Sequence, residues 1–155
     1  MKRFVFSLET VLLLRRREEE QQKELYGKAL ANRDSLKLAL SNALGHLEVL
    51  QQELHSRRLG ATKRGDNLTF IHSIRQQRDF CEVVTQRVVR ADREVEIRMA
   101  GWMEARKGVQ VLEKLREKHF AKHQIEQARL EEKAVDDLIN ARFANFPLRA
   151  SELGM

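Results

Sequence analysis

Residues 60–67 read Gly-Ala-Thr-Lys-Arg-Gly-Asp-Asn, a cluster of helix breakers lying between two long stretches that contain no proline. Gly, Asp and Asn together mark a turn, and Asp66 or Asn67 can cap a helix beginning just after it. On both sides the chain is rich in Arg, Lys, Glu, Gln, Leu and Ala, the residues that lose least on entering a helix. The pattern predicts a first helix over residues 8–59, a turn over 60–67, a second helix over 68–145 and a short tail over 146–155. Ser7 is the expected N-cap, with Glu9 in the favourable first turn. Pro147 cannot continue a helix and pushes Phe146 out of helical geometry, so the second helix should stop near Asn145.

The apolar spacing says how the helices pair. In the first, Leu36, Leu40, Ala43, Leu47, Leu50 and Leu54 recur at steps of three and four, as in the seam of a coiled coil. Leu25, Ala29 and Asn32 continue the row upstream. In the second, Cys81, Val84, Val88, Ala91, Val95, Arg98, Trp102, Ala105, Val109 and Leu112 form the matching row. The row turns polar at Arg116, His119 and His123 and resumes in another phase with Ala128, Val135 and Leu138. The expected fold is therefore all-α: one domain spanning residues 1–155, a long two-helix antiparallel coiled-coil hairpin. At ~1.5 Å per residue the helices would be about 80 and about 115 Å long. Phe4 and Leu8 should then lie opposite Leu115 to Phe120, and the last ~25 residues of the second helix should have nothing in the chain to pack against.

Composition narrows the function. Charged residues make up 34% of the 155 and aromatics 6%, which suits long helices and leaves little for a globular core. The net charge of +6 favours acidic partners, although both signs are interleaved as on a solvated helix surface. Cys81 stands alone beside Phe80, Val83 and Val84, which reads as a small core residue in a reducing compartment. No stretch approaches the ~20 apolar residues of a membrane span. Lys2 and Arg3 before an apolar stretch imitate a signal peptide, but Glu9 interrupts it and Arg15 to Arg17 close it, so the expected location is cytoplasmic.

Catalysis needs convergent groups in a partly dry cavity, which a two-helix coil does not supply. No catalytic residue, cofactor or small-molecule substrate is expected, and no phosphate-binding Gly loop occurs. His119 and His123 at i, i+4 share a helix face but lack further ligands at zinc spacing, so no metal is expected. Arg15–Glu19 and Arg16–Glu20 are expected as i, i+4 pairs on a solvated face. The triple Arg has few aromatics near it, which disfavours a nucleic-acid partner. Trp102 is expected to cover the hairpin flank from the seam. Phe4, Phe6, Leu8, Val11, Leu12, Leu13 and Leu14 exceed what one seam can bury. The excess implies either pairing with the distal second helix or an exposed partner surface.

The opening MKRFVFSLETVLLLRRREEEQQKEL resembles the start of the FliJ family of the flagellar type III export apparatus: a basic lead, two Phe flanking one residue, a Leu, an apolar group, then Arg and Glu. The stretch VLEKLREKHFAKHQIEQARLEEKAVDDL (111–138) resembles the later part of the family's second helix. The resemblance implies a coiled-coil stalk that binds the hexamer of the export ATPase, promotes its assembly and activity, couples it to the export-gate membrane protein, and escorts export chaperones. It implies residence in the cytoplasm, peripherally at the inner membrane beneath the flagellar base. Carried onto this chain, the ATPase-facing residues would be Phe4, Phe6, Leu8, Val11, Leu12, Arg15 and Arg16, with Leu138 and Arg142 from the distal helix. The gate-facing residues would be Leu47, Leu50, Leu54, Phe70 and Ile74. The alternatives are the corresponding stalk of a virulence-type injectisome and, in another class, a basic coiled coil binding nucleic acid.

Overall fold

A computed structural model of the protein describes residues 2–60 and 64–145, with side chains described over 2–60 and 67–145. Two helices account for almost all of it: α1, Glu9–Leu59, and α2, Arg64–Asn145. No strand occurs among the described residues. The two helices pack against each other within each of two compact units.

The unit of residues 17–106 holds the regular seam. Its cross-helix contacts fall in reverse order along the chain. Gln22 meets Gly101, Tyr26 stacks on Trp102, Arg33 reaches Asp92, the Gln77 side-chain amide donates to the Ala43 carbonyl at 3.0 Å, and Arg57 lies over the Phe70 ring. That descending pairing is antiparallel. Ala29, Ala43, Ile74, Cys81, Val84, Val88, Ala91 and Val95 are buried along it, at the steps of three and four that the sequence spaces out. Leu36, Leu40, Leu47, Leu50 and Leu54 are only half-buried, because a single facing helix covers one flank of each. Cys81 is a free, buried thiol.

The unit of residues 2–16 and 107–145 is antiparallel as well. Phe4 meets Phe120, Arg116 bonds Glu9 at 3.0 Å, and Arg16 bonds Glu113 at 3.2 Å. Phe6, Leu12 and Val109 are its buried apolar residues.

Two boundaries differ from expectation. The Leu12 amide donates to the Leu8 carbonyl at 2.9 Å and Glu9 is the first helical residue. Leu8 therefore occupies the flanking N-cap position, one residue after Ser7. Glu9 spends its carboxylate on Arg116 of α2. The second helix begins at Arg64, four residues ahead of the expected 68. The first four helical amides need no intrahelical acceptor, so breaker residues such as Gly65, Asp66 and Asn67 cost little there. At the other side of the turn, the Gly60 amide closes onto the Arg57 carbonyl at 3.2 Å. The middle of the expected turn, residues 61–63, and the expected tail, 146–155 with Pro147, lie outside the described residues.

Candidate partner-binding surfaces

The N-terminal segment ahead of α1 has no regular secondary structure up to a turn at Ser7 and Leu8. Phe6 is 4% exposed and Phe4 half-buried, while Arg3 and Val5 are exposed, Val5 with 79% of its surface free. The two phenylalanines pack on one turn of α2. Phe4 sits edge-on to Phe120 at 5.2 Å and 5.5 Å from the His123 ring, and Phe6 is edge-on to His119 at 5.6 Å. His123 Nε2 donates to the Lys2 carbonyl at 3.1 Å. The histidine pair at i, i+4 is thus an aromatic floor for the Phe pair, a role that single-helix spacing could not reveal because its partners lie over a hundred residues away. Among the described residues no group of three His, Cys, Asp or Glu side chains converges as metal ligands would.

The structure divides the residues expected to face an ATPase. Phe6 and Leu12 are core; Leu12 has no exposed surface at all. Phe4 and Leu8 are half-buried, Phe4 against Phe120 and His123 of α2. Val11 is 40% exposed, and its neighbours Leu13 and Leu14, both 57% exposed, are more open than the apolar residues of the N-terminus expected to face the ATPase. Arg16 pairs across the helices with Glu113, where the sequence suggested Glu20. The apolar excess of the N-terminus is therefore shared between pairing with α2 and open surface.

Leu138 and Arg142 belong to the part of α2 where every residue from Ala128 to Asn145 is exposed. Leu130, Val135, Leu138, Ile139 and Phe143 lie open there, Leu138 and Phe143 by more than two thirds. Ile139 and Phe143 were missed from sequence. The signal was present, since Val135, Ile139 and Phe143 recur every four residues along one helix face.

The residues expected to face an export gate all sit in the seam of the other unit. Leu47, Leu50, Leu54 and Phe70 are half-buried and Ile74 is 7% exposed. The Arg57 guanidinium covers the Phe70 ring at 4.5 Å. Leu54 and Ile74 do reach a shallow groove of about 320 Å³ whose rim carries Arg58, Arg75 and Arg78. Trp102 is half-buried and stacked on Tyr26 at 5.5 Å, with its indole N–H buried and unbonded.

Charge is unevenly spread. Residues 2–16 carry four basic and one acidic side chain and residues 107–126 five and three, which places five of the six net positive charges in these two segments. Residues 127–145 carry three basic and four acidic side chains. No helix among the described residues is long and apolar enough to cross a membrane.

Comparison with known proteins agrees with this architecture. The family model described as "Flagellar FliJ protein" matches residues 4–146. No curated protein and no solved structure matches the chain.

Proposed function

The chain belongs to the FliJ family, components of flagellar-type protein export, and on that premise we propose that it is the stalk of the export machinery and works by contact rather than catalysis. The unit of residues 2–16 and 107–145 enters the hexameric export ATPase, promotes ring assembly and activity, and carries that state to the export gate. The observation that supports this reading most is the distal part of α2, where Leu130, Val135, Leu138, Ile139 and Phe143 repeat at helical spacing with no covering surface among the described residues. An apolar stripe on a helix without a packing partner is a partner's footprint. Val11, Leu13 and Leu14 add apolar surface in the same unit, and the net positive charge of its proximal part suits an acidic lining. The groove at Leu54 and Ile74, rimmed by three arginines, is the contact assigned to the gate. The same reading places the protein peripherally at the cytoplasmic face of the inner membrane and includes escort of export chaperones as its further part. The flagellar system is preferred over an injectisome because the matching family is the flagellar one.

The test is co-purification with the cognate export ATPase and measurement of its turnover with and without this protein. Leu138→Asp with Phe143→Asp should abolish both co-purification and stimulation while leaving the helical circular dichroism unchanged, since neither residue is packed in the free chain. Stimulation that survives the double substitution would overturn the assignment of the distal helix. The absence of any stimulation by the unaltered protein would overturn the stalk reading itself.

A further inference from the structure

The stalk reading uses the positive charge of this unit only as a whole and assigns no ligand to the shallow, open surface formed where the N-terminal segment crosses α2. It is lined by Lys2, Arg3, Phe4, Val5, His119, Lys122, His123 and Glu126, with a volume of about 480 Å³. Three full cations and two imidazoles converge there against a single carboxylate. Elsewhere in this chain many cations have acidic partners: Arg16 with Glu113, Lys28 with Glu24, Arg33 with Asp34, Arg98 with Glu94, Arg116 with Glu9. Lys2, Arg3 and Lys122 have no ion pair among the described residues. Like charges held together unneutralised destabilise a fold, and an anion seated among them removes that cost.

The cluster is also assembled by packing. Phe4 on Phe120 and His123, Phe6 on His119, and the 3.1 Å bond from His123 to the Lys2 carbonyl fix the segment that carries Lys2 and Arg3 against the turn that carries Lys122. The donors are of two kinds suited to phosphate. A guanidinium offers a planar fork and two ammonium groups offer compact point charge. We propose that this surface is a binding site for a multiply charged phosphate group, a diphosphate or the phosphate chain of a nucleotide, held by Lys2, Arg3 and Lys122 with His119 and His123 at its floor. It is a side-chain site and needs no glycine loop. Glu126 opposes it and limits its strength.

The same chemistry is offered by free diphosphate and by anionic lipid headgroups, so the experiment has two arms. Calorimetric titration of the full chain with inorganic pyrophosphate, at about 0.01 M and about 0.15 M ionic strength, should show saturable one-to-one binding that weakens with salt. Arg3→Gln and Lys122→Gln should each weaken it roughly tenfold, as loss of a charge-assisted contact does. Glu126→Gln should tighten it severalfold. Phe4→Ala removes no charge but releases the segment, and should weaken binding as much as Arg3→Gln. Arg87→Gln with Arg90→Gln, an equal or larger charge loss in the other unit, should leave it unchanged. Equal weakening by that control pair, or no saturable heat with pyrophosphate, would reduce the effect to general ionic attraction and overturn the proposal. In the second arm, sedimentation with phosphatidylglycerol–phosphatidylcholine vesicles tests the lipid source. Vesicle binding that pyrophosphate displaces supports the same site taking a headgroup; no vesicle binding beside pyrophosphate binding supports a soluble ligand. Vesicle binding that pyrophosphate cannot displace and that survives Arg3→Gln would overturn a discrete site.

Discussion

Leu12 and Leu13 are adjacent in sequence and opposite in circumstance, which makes Leu12→Ala the sharpest probe of the N-terminal unit. Leu12 has no exposed surface; Leu13 leaves 57% of its surface in water. Removing three buried carbons forfeits their transfer free energy and leaves a cavity, together about 2–5 kcal/mol for a fully buried leucine. A two-helix unit can partly collapse into the gap, so about 2–3 kcal/mol is expected here. The same change at Leu13 should alter stability by less than about 0.5 kcal/mol. Urea denaturation followed by far-ultraviolet circular dichroism measures both. The single tryptophan, Trp102, lies in the unit of residues 17–106 and supplies a second probe. Leu12→Ala should therefore shift the dichroism transition to lower urea more than the tryptophan transition, and the two should cease to coincide. A loss below about 0.5 kcal/mol for Leu12→Ala, or an equal loss for Leu13→Ala, would refute the division between core and open surface.

Other positions give direct tests. Gly27, Gly45 and Gly108 lie in helix interiors with open space where a Cβ would sit, so alanine at each should stabilise the chain by up to about 1 kcal/mol in urea denaturation. A Cβ on Gly101 would meet Gln22 Oε1 at 3.0 Å, the far end of a flexible side chain. Gly101→Ala should thus gain less than the other three, the full gain should return when Gln22→Ala is added, and the fluorescence of neighbouring Trp102 should register the displaced amide. Cys81 is buried in the seam, so Ellman's reagent should label it slowly in the native protein and at the rate of a free thiol in urea. The exposed pair Arg16–Glu113 should be worth under about 1 kcal/mol, measured as the stability lost in Glu113→Gln.

The fold was legible because a coiled coil writes its packing into one dimension. A row of apolar residues at steps of three and four, with the helix breakers from Gly60 to Asn67 between its two halves, specifies two helices, their contact faces and their reversal. Cys81, Val84, Val88, Ala91 and Val95 lie buried where that row put them. The start of α2 was less legible, since a helix's first turn tolerates Gly and Asp and so blurs the boundary with the turn before it. Side-chain partners across the seam were the least legible. Periodicity fixes which face a residue occupies, not which distant residue shares it. Glu20 looked like the partner of Arg16 because it lies four residues on, whereas Glu113 holds the closer position on the facing helix. The same limit hid the stacking of Phe4 and Phe6 on Phe120, His119 and His123.

The exposed end of α2 still requires an explanation for its being helical. Residues 128–145 gain nothing from tertiary burial, and an isolated segment of that length would be marginal in water, because the first turn fixes several residues for one hydrogen bond. Here that nucleus already exists: the helix is continuous with residues 107–127, several of which are buried or half-buried, so each further residue needs only to propagate it. The local sequence favours propagation, with Ala128, Arg129, Leu130, Glu131, Glu132, Lys133 and Ala134 all strong helix formers. A partner that closes on Leu138, Ile139 and Phe143 therefore meets their spacing already set, and little of the binding free energy is lost to ordering the backbone. A disordered segment carrying the same residues would have to form the helix during the encounter, at a cost of several kcal/mol. Packing of the proximal part of α2 is in this way what makes the uncovered part ready to bind.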